Sequence, residues 1–277
     1  MSDRVQARFG SVMKYYVINL DRSADRLQHI EKQFNKLGLS FTRVAGVDGR
    51  LLTKEQLDVV IDPVKRWDVT IPASEIGCFL SHRKCLELVA NGEDAYGAIF
   101  EDDIAFTHNA GDLLNNISWI PDGADIIKLD TFKTVVLLDA FEKISDSEFK
   151  VARLLTKHLC CGGYIVSKAA AGRILTHMQT ISVPVDNLIY DPAYALFDTL
   201  RIHQVTPALC AQDGLESLIE ADRKVERRKV TARPALPARI IREIKRIYRR
   251  SSHFLNPARV WTSLSTSKRW MRVSFKK

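Results

Sequence analysis

Tyr15–Leu20 (YYVINL), Ala24–Leu37 (ADRLQHIEKQFNKL) and Phe41–Val44 (FTRV) follow one another within residues 15–44, and their reading decides the fold. The first is a short run rich in β-branched and aromatic side chains. Polar Asp21, Arg22 and Ser23 close it, so it reads as a buried strand. The second carries Leu27, Ile30, Phe34 and Leu37 at spacings of three and four, the apolar stripe of a helix. Ser23 is its expected N-cap and Gly38 its expected stop. The third reads as another strand, ended by the turn-like Gly46-Val47-Asp48-Gly49. Strand, helix, strand at this spacing is a βαβ unit, which predicts an α/β protein whose parallel sheet is covered by helices.

The pattern continues outward. Ser74 precedes a helical run, Glu75–Ala90. Gly97–Phe100 and Asp125–Leu129 read as strands, as does Tyr164–Ser167 after Gly162-Gly163. Helices are predicted over Lys168–Met178 and, despite Pro192, over Asn187–Phe197, with a late strand over Ile202–Ala208. Residues 54–72 carry little pattern and are broken by Pro63 and Pro72. No repeat of 20 to 50 residues is present.

The chain has 277 residues, 46% of them hydrophobic and 27% charged, which excludes a disordered, collagen-like or low-complexity protein. Its net charge of +8 is unevenly placed. Residues 223–277 hold 18 basic and two acidic residues, a charge of +16, while residues 1–222 sum to −8. This predicts an acidic body over 1–222 and a basic tail over 223–277. Cys78, Cys85, Cys160, Cys161 and Cys210 form no C-x-x-C pair, which fits reduced thiols and offers no zinc-finger spacing. Helical periodicity puts Cys78 and Cys85 on one face, expected to be core. With no secretory leader and no spanning segment in sight, the expectation is a cytoplasmic protein, soluble or held on a membrane surface.

Four stretches could carry chemistry. Glu101-Asp102-Asp103 ends an apolar strand. Carboxylates there are costly unless solvated or neutralised. A hard divalent cation, Mg²⁺ or Mn²⁺, would neutralise them, and the carboxyl end of a strand is where ligands of open α/β sheets bind. A solvated acidic turn is the alternative. Asn19-Leu20-Asp21-Arg22-Ser23-Ala24-Asp25-Arg26 joins the first strand to its helix, a place that favours phosphate, with Arg22 or Arg26 adding a charge-assisted contact. An exposed arginine face with Asp21 and Asp25 capping is the alternative, and neither G-x-G-x-x-G nor a P-loop occurs. Gly77 permits close backbone approach beside Ser81 and His82, both potential ligand contacts. Asp186 follows a Pro-stiffened segment and could act as a general base or merely cap the following helix.

Together the stretches resemble glycosyltransferase family 25, the lipooligosaccharide galactosyltransferase-like enzymes. The matching segments are YYVINLDRSADR (15–26), FTRVAGVDGR (41–50), SEIGCFLSH (74–82), AIFEDDIAF (98–106), CGGYIVSKAAAGRIL (161–175) and VPVDNLIYD (183–191), in the family's order. The resemblance implies a GT-A type fold, a Rossmann-like mixed sheet flanked by helices. It implies inverting, metal-dependent transfer of a hexose, most often galactose, from a UDP-sugar to a lipooligosaccharide or LPS acceptor. By the same match Asp103 is the direct ligand of Mn²⁺ or Mg²⁺. Asp102 contacts the ribose or the metal and its water shell. Asn19, Leu20, Arg22 and Arg26 meet the nucleotide, Asp48 lies near the nucleoside, and Asp186 supplies the carboxylate that acts as base. The cluster reads EDD rather than a strict DxD. Two other classes use the same residues: a metal-dependent hydrolase of nucleotide-sugar or phosphate substrates, and a non-catalytic binding module for nucleotide sugars or glycolipids.

In the tail, Pro237–Arg250 (PARIIREIKRIYRR) places Ile240, Ile241, Ile244, Ile247 and Tyr248 on one helical face and Arg242, Lys245, Arg246, Arg249 and Arg250 on the other. With Phe254, Trp261, Trp270, Met271 and Phe275 beyond it, residues 237–277 are expected to dock on an anionic membrane, the cytoplasmic face of the inner membrane; packing on the acidic body of the chain is the alternative. No nucleic-acid module is present, and no nucleic acid is expected as partner.

Overall fold

The computed structural model describes residues 13–63, 71–132, 134–145, 147–213 and 267–276. The opening unit forms as β1 (Lys14–Asn19), α1 (Ala24–Lys36) and β2 (Thr42–Ala45), with β1 and β2 parallel. Gly38 takes the left-handed conformation (φ +67°) just past α1, the stop its sequence predicts. The Ser23 carbonyl accepts from Leu27 N–H, but its side chain makes no capping bond, so the expected Ser23 cap is a backbone one only.

A 3-10 turn (Gly49–Leu51) and α2 (Lys54–Val60) lead to α3 (Ala73–Asn91), which starts after Pro72 and takes Ser74 into its first turn. Then come β3 (Tyr96–Glu101), β4 (Ile104–Phe106), α4 (Ala110–Leu114) and β5 (Ile126–Lys128). The hairpin β6 (Val135–Lys143) and β7 (Lys150–Leu154) precedes β8 (Gly163–Ser167) and α5 (Lys168–Thr176). The single helix expected over 187–197 is two, α6 (Val185–Tyr190) and α7 (Ala195–Thr199), because Pro192 can neither donate a helical hydrogen bond nor let Asp191 stay helical. β9 (Ile202–Thr206) stops two residues short of prediction, before Pro207. β10 (Cys210–Gln212) pairs with β4, and β11 (Arg269–Arg272) closes the described chain.

The main sheet has the order β11-β6-β7-β9-β5-β8-β3-β1-β2. Parallel pairing joins β2, β1 and β3, and separately β5 and β9, while the remaining pairs are antiparallel. The sheet is therefore mixed, not purely parallel as the opening βαβ unit alone predicts, and has the GT-A-like layout of a Rossmann-like parallel half extended by a mainly antiparallel one. Side chains alternate across it. Tyr15, Val17, Ala98 and Phe100 pack with Ile30 and Phe34 of α1 on one face, and Tyr16, Ile99 and Val166 pack with α3 and α5 on the other. Phe34 sits among the rings of Tyr15, Phe41, Phe100 and Phe106, with centroids 4.8–6.1 Å away. Burial of this kind is worth about 3–5 kcal/mol for a phenylalanine.

β11 belongs to residues read as tail, yet it adds to the sheet edge beside β6. Val273 is buried, and its carbonyl accepts from Thr131 Oγ1 at 3.0 Å. Trp270, expected at a membrane interface, is thus a strand residue, though 55% exposed. The predicted basic helix 237–250, with Phe254 and Trp261, lies outside the described residues.

His158, wholly buried, accepts from Phe132 N–H through Nε2 at 3.4 Å and donates from Nδ1 to Gln204 Oε1 at 2.8 Å, which fits a neutral ring. Burial, reinforced by the charge of Lys128, pushes its pKa down to about 3. Below pH 6.5 the unfolded chain takes up the proton and the native chain does not. Stability should fall on acidification, by about 2 kcal/mol between pH 7 and pH 5 from this group. Urea unfolding at both pH values checks this. Wild type should lose about 2 kcal/mol more than His158→Gln over the interval, and equal losses would contradict a neutral buried ring.

Candidate active site

β1 and β3 run parallel and end side by side, so the residues that follow them share one rim of the sheet. A cavity opens there, bounded by the start of α1, the 47–50 loop, α3 and the Glu101-Asp102-Asp103 turn. The fold brings Leu20, Arg22, Arg26, Asp48, Ser81, His82, Asp102 and Asp103 together on its wall. Asn19 stands behind the wall, and Asp186 is not on it.

Asn19 is 1% exposed and works as a bracket. Its Nδ2 donates to Asp102 Oδ2 at 2.7 Å and to the Ser23 carbonyl at 3.0 Å, while its Oδ1 accepts from Arg43 Nε at 2.9 Å. Arg26 Nη1 lies 3.3 Å from Asp102 Oδ1 and 3.6 Å from Asp103 Oδ2, so one guanidinium faces both carboxylates. Arg22 Nε meets Asp48 Oδ2 at 2.5 Å. The arginines therefore do not form a free basic face; each is aimed at a cavity carboxylate.

The acidic turn is electrostatically graded. Burial works to raise Glu101, but the hydrogen bond and charge of His82, with Lys128 behind, hold it below the usual carboxylate range. Burial raises Asp102 despite Asn19 and Arg26. Burial and the charge of Glu101 push Asp103 furthest, to about 7. Asp103 Oδ1 is buried with no hydrogen-bond partner. A buried carboxylate oxygen left without a donor fits a hard divalent cation, so the residues present suit Mn²⁺ or Mg²⁺, with Asp103 the freer ligand and Asp102 already held at both oxygens. Burial also works to raise Asp48, but Arg22 and the Arg50 N–H keep it below the ordinary value.

The 47–50 loop sits tightly on α3. A Cβ on Gly77 would lie 2.3 Å from the Val47 carbonyl oxygen, and one on Gly49 would lie 1.7 Å from that of Ala73, so both positions exclude any side chain. Ser81 completes this contact: its Oγ accepts from Val47 N–H at 2.8 Å and donates to the Gly77 carbonyl at 2.7 Å. Both its hydrogen-bonding directions thus serve the backbone. His82 is fully buried, with Nε2 3.3 Å from Glu101 Oε1 and Nδ1 3.1 Å from Tyr164 Oη. Cys85 is core as expected, whereas Cys78 faces the cavity beside Glu101, because it lies about two turns nearer the N-terminal end of α3.

Asp186 lies in the first turn of α6, whose N-cap is Pro184, so it is not the capping residue. Its Oδ2 accepts from Cys160 N–H at 3.3 Å, and its Oδ1 is buried without a partner. Cys160 holds a left-handed backbone (φ 86°), an unfavourable conformation for a residue with a Cβ. A buried ion pair fixes it there. Lys128 Nζ is 2.5 Å from Asp130 Oδ1, bonds the Cys160 carbonyl, and sits 4.4 Å over the Tyr190 ring. Asp130 Oδ2 accepts from Gly162 N–H at 2.9 Å. Sequence reading missed this pair. Its signal was present: a lysine inside the apolar strand DIIKL, with an aspartate two residues on.

A mixed α/β sheet whose adjacent parallel strands end in an acidic, arginine-flanked cavity has the arrangement in which α/β proteins take ligands at the carboxyl ends of their strands. Residues 12–189 match glycosyltransferase family 25 (LPS biosynthesis protein), and the chain belongs to that family. It is 25% identical to the lipooligosaccharide biosynthesis protein lex-1 of Haemophilus influenzae, over 86% of this chain and 91% of that protein. It is 27% identical to the lacto-N-neotetraose biosynthesis glycosyltransferase LgtB of Neisseria gonorrhoeae, over 78% and 84%. A glycosyltransferase involved in glycosylation of the major capsid of PBCV-1 superimposes with a TM-score of 0.41 at 8% identity, covering 78% of this chain and 98% of that one.

Proposed function

We propose that this glycosyltransferase moves a hexose, galactose, from a UDP-sugar to a growing lipooligosaccharide or LPS saccharide, with inversion at the anomeric carbon. Family membership and the names of its relatives support the acceptor class. One observation carries the donor assignment: the cavity at the ends of β1 and β3 sets two arginines and Asp48 against a carboxylate pair with one unpartnered oxygen. In this reading Leu20, Arg22, Arg26 and Asp48 hold the nucleotide, and Asn19 and Ser81 keep the walls in place. Asp102 and Asp103 would hold Mn²⁺ or Mg²⁺, which supplies Lewis-acid stabilisation to the leaving diphosphate. Asp186, which lies off this cavity wall with a buried, unpartnered Oδ1, is the carboxylate that would take the proton from the acceptor hydroxyl.

Screening UDP-sugars against truncated lipooligosaccharide, with and without Mn²⁺, tests the assignment. Transfer from UDP-galactose that needs the acceptor is expected, and release of free sugar regardless of acceptor would mark a hydrolase instead. In the same assay Asp186→Asn should keep UDP binding and lose transfer; transfer near the wild-type rate would remove Asp186 as base.

The described residues include no helix long and apolar enough to cross a membrane. We propose that the basic stretch 237–250 holds the enzyme peripherally on the cytoplasmic face of the inner membrane, by its charge and apolar face. Glutamine at Arg242, Lys245, Arg246, Arg249 and Arg250 should release the full chain from anionic vesicles in co-sedimentation, and undiminished binding would exclude this stretch as the anchor.

A further inference from the structure

Cys78, His82 and Glu101 meet on the cavity wall, and the transfer scheme uses none of them directly. Cys78 and His82 are four residues apart on α3 and so share a face. Glu101 is the last residue of β3, opposite that face. His82 Nε2 lies 3.3 Å and Cys78 Sγ 3.8 Å from the same oxygen, Glu101 Oε1. All three ligand atoms fall within 4.8 Å of one another, a grouping that occurs once among the described residues.

These separations can be compared with a metal's demands. Tetrahedral zinc with its usual bond lengths sets nitrogen and oxygen ligands about 3.4 Å apart, and sulfur and oxygen about 3.6 Å apart. The two pairs here are within a few tenths of an ångström of that, with no metal needed to draw them together. Thiolate, imidazole and carboxylate are also the donors of a borderline-soft ion, and a poor set for Mg²⁺ or Mn²⁺. The second nitrogen of His82 is already oriented, Nδ1 lying 3.1 Å from the Oη of fully buried Tyr164. Metal-bound imidazoles have a partner of this kind, which fixes the ring and its tautomer.

We propose that Cys78 Sγ, His82 Nε2 and Glu101 Oε1 bind one Zn²⁺, with the fourth position open to the cavity. The site is distinct from the hard-cation position assigned to Asp102 and Asp103, and it does not depend on that assignment. On binding, His82 gives up its Nε2 proton and Cys78 its thiol proton, both to solvent; the Nε2 lone pair then faces the metal while Nδ1–H donates to Tyr164 Oη.

Cobalt reports on such a site directly. The full chain, stripped of metal and titrated anaerobically with Co²⁺, should take up one equivalent with tetrahedral visible bands and a thiolate-to-cobalt charge-transfer band. Zn²⁺ should erase both, since it binds such sites more tightly than Co²⁺. Cys78→Ser should lose the charge-transfer band, Cys160→Ser should keep it, and Glu101→Gln should weaken Co²⁺ by about tenfold or more. No charge-transfer band in wild type, its persistence in Cys78→Ser, or unchanged affinity in Glu101→Gln would overturn the assignment.

Discussion

Asp103→Ala should reduce Mn²⁺-dependent transfer by on the order of 100-fold or more, with the fold intact. Asp103 has one oxygen 3.6 Å from Arg26 and the other buried without any donor. Burial and the adjacent Glu101 charge lift its pKa to about 7, so near neutrality the protein alone barely supports the ionised form. A divalent cation held by Asp102 and Asp103 would remove that conflict and would supply Lewis-acid stabilisation to a leaving diphosphate. Removing the carboxylate deletes this stabilisation without opening a cavity in the apolar core. A second readout separates binding from catalysis. Mn²⁺ should raise the thermal midpoint of wild type and leave that of the variant unchanged. Full activity of Asp103→Ala in chelated buffer would contradict the metal assignment.

Lys128→Ala should destabilise the protein by about 3–5 kcal/mol, because it leaves Asp130 as an uncompensated charge in the interior. Both partners are essentially unexposed, and burial opposes charge on each, while the Asp130 carboxylate holds the Lys128 ammonium protonated. The double variant Lys128→Met/Asp130→Asn should recover most of the loss, since no buried charge then remains. Urea unfolding of the single and double variants measures this. An effect of Lys128→Ala under 1 kcal/mol would mean that the interior admits water at that point. The pair also holds the Cys160 peptide, whose N–H touches Asp186. The double variant should therefore fold and still transfer poorly.

The first half of the sheet was legible because its signals are local. YYVINL shows its burial by composition, the α1 stripe by period, and Gly38 the end of α1 by its need for a left-handed turn. In the other half β5, β8 and β9 were legible, but the β6–β7 hairpin was not. β6 alternates only briefly and ends in polar Glu142 and Lys143, and β7 opens on Lys150, so neither outweighs its neighbours. β11 was unreadable for a different reason. RWMR is basic and aromatic, and only the edge of β6, far off in the chain (Arg269 pairs with Leu138), makes it a strand.

Of the site, the residues were legible but their tasks were not. Arg22, Arg26, Asp48, Asp102 and Asp103 do share one cavity, as their motifs suggest. That Arg26 faces two carboxylates, that Asn19 supports Asp102 and that Ser81 binds two backbone groups follows only from tertiary placement. Cys78 looked like core because i,i+7 spacing sets it on the Cys85 face. Its position one turn inside the rim of α3 decides otherwise.

The cavity at the ends of β1 and β3 is proposed to hold the nucleotide of a UDP-sugar. Calorimetric titration of the full chain with UDP in the presence of Mn²⁺ is its most direct test. One saturable site is expected, weakened about tenfold or more in Asp48→Ala, which removes a cavity carboxylate that directs Arg22. No saturable binding in wild type, or equal affinity in the variant, would contradict it.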